Sequence, residues 1–518
     1  MNQGIPAHPP SCATTIAELL QAGAPDANAI GAPEGVPPLT YRALASLCRR
    51  TVAALNGLGI GRNDRVAIVL PNGPEMATTF LCIGACATTA PLNPAYRAEE
   101  LEFYLGDLKA KALVVQAGAD TPARAVAKKL GVPVVDLTPR REEGAGGFTL
   151  LPAQPMGGGP RQRGLAGPDD TALVLHTSGT TARPKLVPLL QRNLTASARH
   201  IRETLRLGPG DACLNAMPLF HIHGLMAATL ASLAAGGQVW CSPGFNALKF
   251  YAWLDEVKPS WYTAVPTMHQ AILARADRNR EIVGRSRLRF IRSSSASLPP
   301  QVMAELEKVF RAPVIESYGM TEASHQMTSN PLPPRPRKPG SVGVAAGPEI
   351  AVMDEEGKLL PAGVVGEVVI RGPNVTRGYE TNPEANAKAF TDGWFRTGDQ
   401  GVLDDQGYLR LTGRLKELIN RGGEKISPLE VDEVLMDHPA VQQVVTFAVP
   451  HDKLGEEVAA AVVLREGRSA TEHELRDFAA GRLADFKVPR RIVLLTEIPK
   501  GATGKLQRIG LAQKLGLG

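Results

Sequence analysis

Short β-branched runs alternate with longer amphipathic stretches through the first four-fifths of the chain. Val66-Ala67-Ile68-Val69-Leu70, closed by the turn Pro71-Asn72-Gly73, is the first clear case. Leu113-Val114-Val115, Val132-Pro133-Val134-Val135, Leu173-Val174-Leu175, Gln238-Val239-Trp240, residues 261–265 and Arg289-Phe290-Ile291 continue the series, with helix-like stretches between them. Strands alternating with helices predict largely parallel α/β sheets. Residues 140–169 and 331–340 are rich in Gly or Pro and are predicted as loops.

After Gly413 the texture changes. Ser427-Pro428-Leu429-Glu430 has the form of a helix start, with Ser as N-cap, Pro at the first helical position and Glu three residues after the cap. Strand-like Val444-Val445-Thr446-Phe447 and Ala460-Ala461-Val462-Val463-Leu464 follow, then a helix from about Glu472. The expected organisation is a large α/β domain over 1–413 with mainly parallel sheets, and a small α+β domain over 414–518.

Composition removes whole classes. At 518 residues the chain exceeds what one hydrophobic core serves. Hydrophobic content of 44% and charged content of 21% exclude a disordered or coiled-coil chain. The 57 Lys and Arg against 51 Asp and Glu leave +6, too little and too dispersed for a nucleic-acid binder. The densest basic clusters, Arg161-Gln162-Arg163 and Pro334-Arg335-Pro336-Arg337-Lys338, stand in loops without interleaved aromatics. Six cysteines are too few for a disulfide scaffold, and Cys82 and Cys86 read as buried small apolar groups. No apolar stretch is long enough to span a bilayer and neither end carries an evident address, so a reducing cytoplasm is expected.

Chemistry concentrates first in Leu175-His176-Thr177-Ser178-Gly179-Thr180-Thr181-Ala182-Arg183-Pro184-Lys185. A strand runs into a loop of small residues, whose backbone N–H groups can approach an anion. The hydroxyls of Thr177, Ser178, Thr180 and Thr181 can donate to phosphate oxygens, and Lys185 adds positive charge. The spacing is not that of a Walker A loop. A polar surface loop of the same composition is the plainer alternative.

This segment resembles the phosphate-binding loop of the adenylate-forming superfamily of acyl-CoA synthetases, luciferases and adenylation domains, with Ala182 where the family usually has Gly. Four further segments resemble the superfamily's motifs in the same order: Tyr318-Gly319-Met320-Thr321-Glu322, Thr397-Gly398-Asp399, Gly413 to Ile419, and Pro499-Lys500-Gly501-Ala502-Thr503-Gly504-Lys505. The resemblance implies ATP-driven activation of a carboxylate, with ATP and CoA as co-substrates and Mg²⁺ as cofactor. It implies that Thr177, Ser178, Gly179, Thr180, Thr181, Lys185, Ala296, Glu316, Ser317, Tyr318, Gly319, Thr321, Asp399, Arg414 and Lys505 hold the nucleotide. Glu322 is the expected Mg²⁺ ligand, and Lys505, Thr181 and Glu322 the expected catalytic groups. The small domain is expected to rotate about a hinge near Lys416, bringing Gly422, Gly423 and Glu424 to the thiol.

The expected acyl pocket is polar. Segments 220–224, 292–297 and 321–326 supply His221, His223, Ser295 and His325, where a long or aromatic acid would call for apolar walls. Buried polar groups left unpaired are costly, so this set suits a small acid with a second carboxylate. His269, by contrast, reads as a core residue. Residues 261–270, 321–333 and 420–428 resemble the oxalate–CoA ligase branch, which implies oxalate; malonate, glycolate or another short acid, or loading of a carrier protein, are the alternatives. Gly319, where some of that branch carry Ala, implies a pocket larger by a methyl. A monomer or homodimer is expected, with small-molecule partners only.

Overall fold

The structure, a computed structural model, describes residues 13–156, 158–177, 184–501 and 503–518. The predicted strands form in the large part as the core of two sheets. Arg65–Val69 is central to a seven-stranded sheet, between the parallel strands Thr88–Pro91 and Ala112–Gln116. A nine-stranded sheet sets Trp261–Ala264, Phe290–Ser294 and Val314–Met320 side by side in parallel, then adds His325–Ser329 antiparallel. Parallel strands are covered on both faces, and Phe290–Ser294 is buried at every position, Arg292 included.

Two departures from the sequence reading stand out. Residues 140–169 are not loop throughout: Phe148–Pro152 forms an edge strand antiparallel to Val134–Pro139. Flanking glycines hide this five-residue strand in the sequence. The large part also carries a third sheet, fully antiparallel, of Glu349–Met353, Gly366–Arg371, Phe390–Thr391, Trp394–Leu403 and Leu409–Arg414. Its longest strand, Trp394–Leu403, alternates between buried and half-buried positions and so lacks the continuous apolar run of a parallel strand.

The small part is built on the long antiparallel pair Val441–His451 and Gly455–Leu464, with Arg491–Leu495 parallel to the latter. Helix Pro428–Met436 begins as predicted: the Ser427 hydroxyl accepts from the Glu430 N–H at 3.4 Å. The Glu430 carboxylate turns away to Lys487 at 2.7 Å instead of completing a capping box. No described helix is long and apolar enough to cross a membrane.

The connection between the parts is tethered on both sides. Arg414 Nε donates to Asp399 of the large part at 2.7 Å. Arg508 donates to Glu417 at 2.9 Å, to Asp432, and to the Thr446 carbonyl at 2.7 Å, fixing Glu417 to the small part. Leu415 and Lys416 lie between these two anchors.

Candidate active site

A cavity of about 370 Å³ opens where the two parts meet. Parallel strands deliver their C-terminal ends to one edge, the usual place for a ligand in an open α/β sheet. Ser295 and Ala296 follow Phe290–Ser294, while Ser317, Tyr318 and Gly319 end Val314–Met320; with Asp399 and Arg414 they form one wall. The small part contributes Lys505. Its loop is a tight turn, with Gly504 at φ +82° and the Gly501 N–H donating to the Lys505 carbonyl at 2.8 Å. The Thr267 hydroxyl, from the large part, donates to the Gly504 carbonyl at 2.7 Å and so docks the loop. Burial, with Arg414 second, pushes the Lys505 ammonium down to about 8 against the pull of Asp399.

Ser178, Gly179, Thr180, Thr181 and Ala182 lie outside the described residues. The base of their loop is closed by the Thr177 N–H on the Lys185 carbonyl at 2.8 Å, continuing the pairing of Thr171–His176 with Leu186–Leu190. Lys185 holds its ammonium 4.3 Å from the centre of the Tyr379 ring. Burial and Lys416 lower its pKa, while Glu322 opposes them. The Tyr379 hydroxyl donates to Glu322 at 2.9 Å. Glu322 is 6% exposed, and burial holds its carboxyl above the usual range despite Tyr379, Arg414 and Lys185. It is a single carboxylate: no group of three or more His, Cys, Asp or Glu among the described residues is arranged to hold a metal.

Asp399 accepts from Arg414 on one oxygen and from the Tyr318 hydroxyl on the other, each oxygen keeping a second lone pair. Glu316 does not line the cavity. It sits behind the wall, accepting from the Leu298 N–H at 2.8 Å, and burial pushes its carboxyl up to about 8. Thr321 is half-buried, its carbonyl accepting from the Ser324 N–H at 3.0 Å. Gly422, Gly423 and Glu424 form the tip of the Ile419–Arg421/Glu424–Ile426 hairpin, outside the cavity.

Of the four polar residues expected of an acyl pocket, Ser295 lines the cavity and the three histidines stand together off it. His223 is fully buried, with Nδ1 3.0 Å from the Ser295 hydroxyl and Nε2 2.6 Å from the Thr263 hydroxyl. His325 lies against it, the ring centres 5.0 Å apart, and its Nδ1 is buried without a hydrogen-bond partner. His221 Nδ1 accepts from the His223 N–H at 3.2 Å, leaving Nε2 to carry the proton. Burial keeps all three imidazoles neutral, and Lys505 adds to the effect on each. His269 is buried beside Tyr262, as a core residue.

Sequence reasoning missed Arg292, Thr263 and Tyr379. An arginine inside the apolar run Phe290-Ile291-Arg292 was the available signal for the first; the others carry none. Gly319 also has another explanation than a roomier pocket. A Cβ there would stand 1.8 Å from the His325 carbonyl oxygen, so the space is taken by the close approach of His325.

A Tyr–Asp–Arg wall at the strand ends and a lysine lent by the small second part frame one cavity between the two parts. The chain belongs to the AMP-binding enzyme family, whose model matches residues 21–380, while that of the AMP-binding enzyme C-terminal domain matches 430–505. An oxalate–CoA ligase of Arabidopsis thaliana is 47% identical over 495 residues, covering 94% of this chain and 96% of that protein. One from Saccharomyces cerevisiae is 41% identical over 522 residues, covering 94% of each. The ATP-bound crystal structure of MatB from Rhodopseudomonas palustris superposes with a TM-score of 0.84 at 30% identity, covering 98% of both chains; its apo form gives 0.75.

Proposed function

We propose that this chain, an AMP-forming acid–CoA ligase, takes oxalate as its acid. Oxalate attacks the α-phosphate of ATP to give oxalyl-adenylate and diphosphate; the CoA thiol then displaces AMP to give oxalyl-CoA. The observation that carries the choice of acid is the buried pair His223 and His325 standing behind Ser295, which lines the same cavity as Lys505 and offers a hydrogen bond where a long or aromatic acid needs apolar surface. Its orphaned His325 Nδ1 is a polar atom that a second carboxylate would satisfy.

In this reading Lys505 donates to the reacting carboxylate and the α-phosphate as charge develops. Asp399 accepts from the ribose hydroxyls with the lone pairs that Tyr318 and Arg414 leave free. Ala296, Ser317, Tyr318 and Gly319 line the nucleotide's wall, and Thr181 and the rest of the hydroxyl-rich loop hold phosphate. Glu322 fits Mg²⁺, being a lone buried hard carboxylate whose remaining ligands would be phosphate oxygens and water. When bound, the ion would neutralise phosphate charge.

The two domains divide just after Arg414, which closes the last strand of the large part's third sheet. With Arg414 tied to Asp399 and Glu417 tied to Arg508, rotation is left to Leu415 and Lys416. The better match to the ATP-bound neighbour supports an adenylation arrangement here. Rotation would then withdraw Lys505 and bring Gly422, Gly423 and Glu424 to the thiol. Among the described residues the five cysteines are buried and free, which suits a reducing cytoplasm.

A panel of acids from oxalate to butyrate, scored for AMP formation with and without CoA, tests the proposal. Oxalate should be preferred and AMP release should require CoA. Equal use of acetate would overturn the assignment of oxalate.

A further inference from the structure

Arg292 is fully buried in the middle of Phe290–Ser294, yet no carboxylate lies within ion-pair distance of it among the described residues. Its contacts are weak for a charged group: Nη1 is 3.4 Å from His223 Nε2, Nη2 is 3.4 Å from Gln326 Oε1, and Nε is buried without a partner. An unpaired buried guanidinium is expensive, and proteins seldom keep one without a use. Burial pushes its pKa down to about 9, which still leaves it cationic at neutral pH. The imidazoles in front of it are neutral, so Arg292 is the charged group of this buried histidine cluster.

We propose that Arg292 is a positioning residue that selects a doubly charged acid, acting through His223 and Ser295 on the carboxylate that does not react. This rests on the reading of the chain as a ligase for oxalate. A guanidinium has only N–H donors, so His223 Nε2 must accept, and the Thr263 hydroxyl donates to the same atom. The ring proton therefore sits on Nδ1 and points at the Ser295 oxygen. Ser295 lines the cavity, and its own proton is left to donate there. The order of donors thus runs outward from Arg292 to the distal carboxylate, with the charge of Arg292 behind it. Lys505 answers one carboxylate from the small domain and Arg292 answers the other from the sheet.

The test compares kcat/KM for oxalate, a dianion, with that for glycolate, a monoanion of similar size, in wild type, Arg292→Met and Arg292→Lys. Arg292→Met should lose about a hundredfold with oxalate and less than about threefold with glycolate, leaving the KM for ATP unchanged. Arg292→Lys, which keeps the charge, should recover at least about tenfold of the loss with oxalate. Removing an unpaired buried ion should also leave the melting temperature of Arg292→Met equal to or above that of wild type. Equal losses with both acids, an unchanged oxalate preference, no recovery in the lysine variant, or a strongly lowered melting temperature would each overturn the proposal. A wild type that cannot use oxalate would overturn the functional reading as well, and that is visible before any variant is made.

Discussion

Lys505 is the side chain on which the two half-reactions should separate. Its ammonium is held at about 8 against an ordinary 10.5, which makes the charged form about 3 kcal/mol less stable in the cavity than in water. ATP and the acid supply the negative charge that offsets this cost. The amine can donate only when protonated, so kcat/KM for adenylation should fall as pH rises through about 8. For folding the sign is opposite. The unfolded lysine keeps its proton up to 10.5 while the folded one releases it near 8, so this group's contribution to stability rises with pH between those values. Lys505→Ala should lower adenylation, followed by diphosphate release, by roughly 10²- to 10³-fold, the range for losing one preorganised donor. The fall near pH 8 should disappear with it. Thioester formation from supplied oxalyl-adenylate should persist, since the proposed rotation has by then withdrawn the lysine. Equal loss of both steps, or a limb near pH 8 that survives in the variant, would refute the reasoning.

Lys416→Pro fixes φ and removes an N–H at the proposed pivot, so it should slow the thioester step more than adenylation when the two are timed separately. His325→Ala should cost oxalate about 2–4 kcal/mol in kcat/KM while sparing the KM for ATP; retained preference for oxalate over acetate would move the reading of the distal carboxylate to His221 and Ser295. Asp399→Asn loses the charge that faces Arg414 at 2.7 Å and should raise the KM for ATP about tenfold or more, with the oxalate-to-acetate ratio unchanged.

What was legible in the sequence follows from distance along the chain. Strands such as Arg65–Val69 and Ala112–Gln116 announce themselves because burial on both faces demands an unbroken apolar run. Trp394–Leu403 and Leu409–Arg414 of the antiparallel sheet do not, since these half-buried strands mix polar and apolar positions. At the site, Lys505, Asp399 and Glu322 stand in recognisable local motifs. The layer behind them is made of pairings between remote positions: His223 with Thr263, 40 residues on, and Arg292 with His223, 69 residues back. No local pattern encodes such pairs. Gly319 likewise answers to a close approach of His325 that becomes visible only when the strands are paired.

Three pocket residues adopt backbone angles that side chains other than glycine avoid: Ser295 at φ +76°, Ser324 at φ +49° and His325 at φ +94°. Each such conformation costs on the order of 1 kcal/mol or more. A selection for heat tolerance alone would therefore reward Gly at 295, where the side chain is small and half-exposed and leaves no buried hole behind. The same change would strip the cavity of the Ser295 hydroxyl. Durability and turnover pull this position in opposite directions, so a heat-hardened descendant of this enzyme that drifted freely there would be expected to melt later and to lose its grip on a second carboxylate.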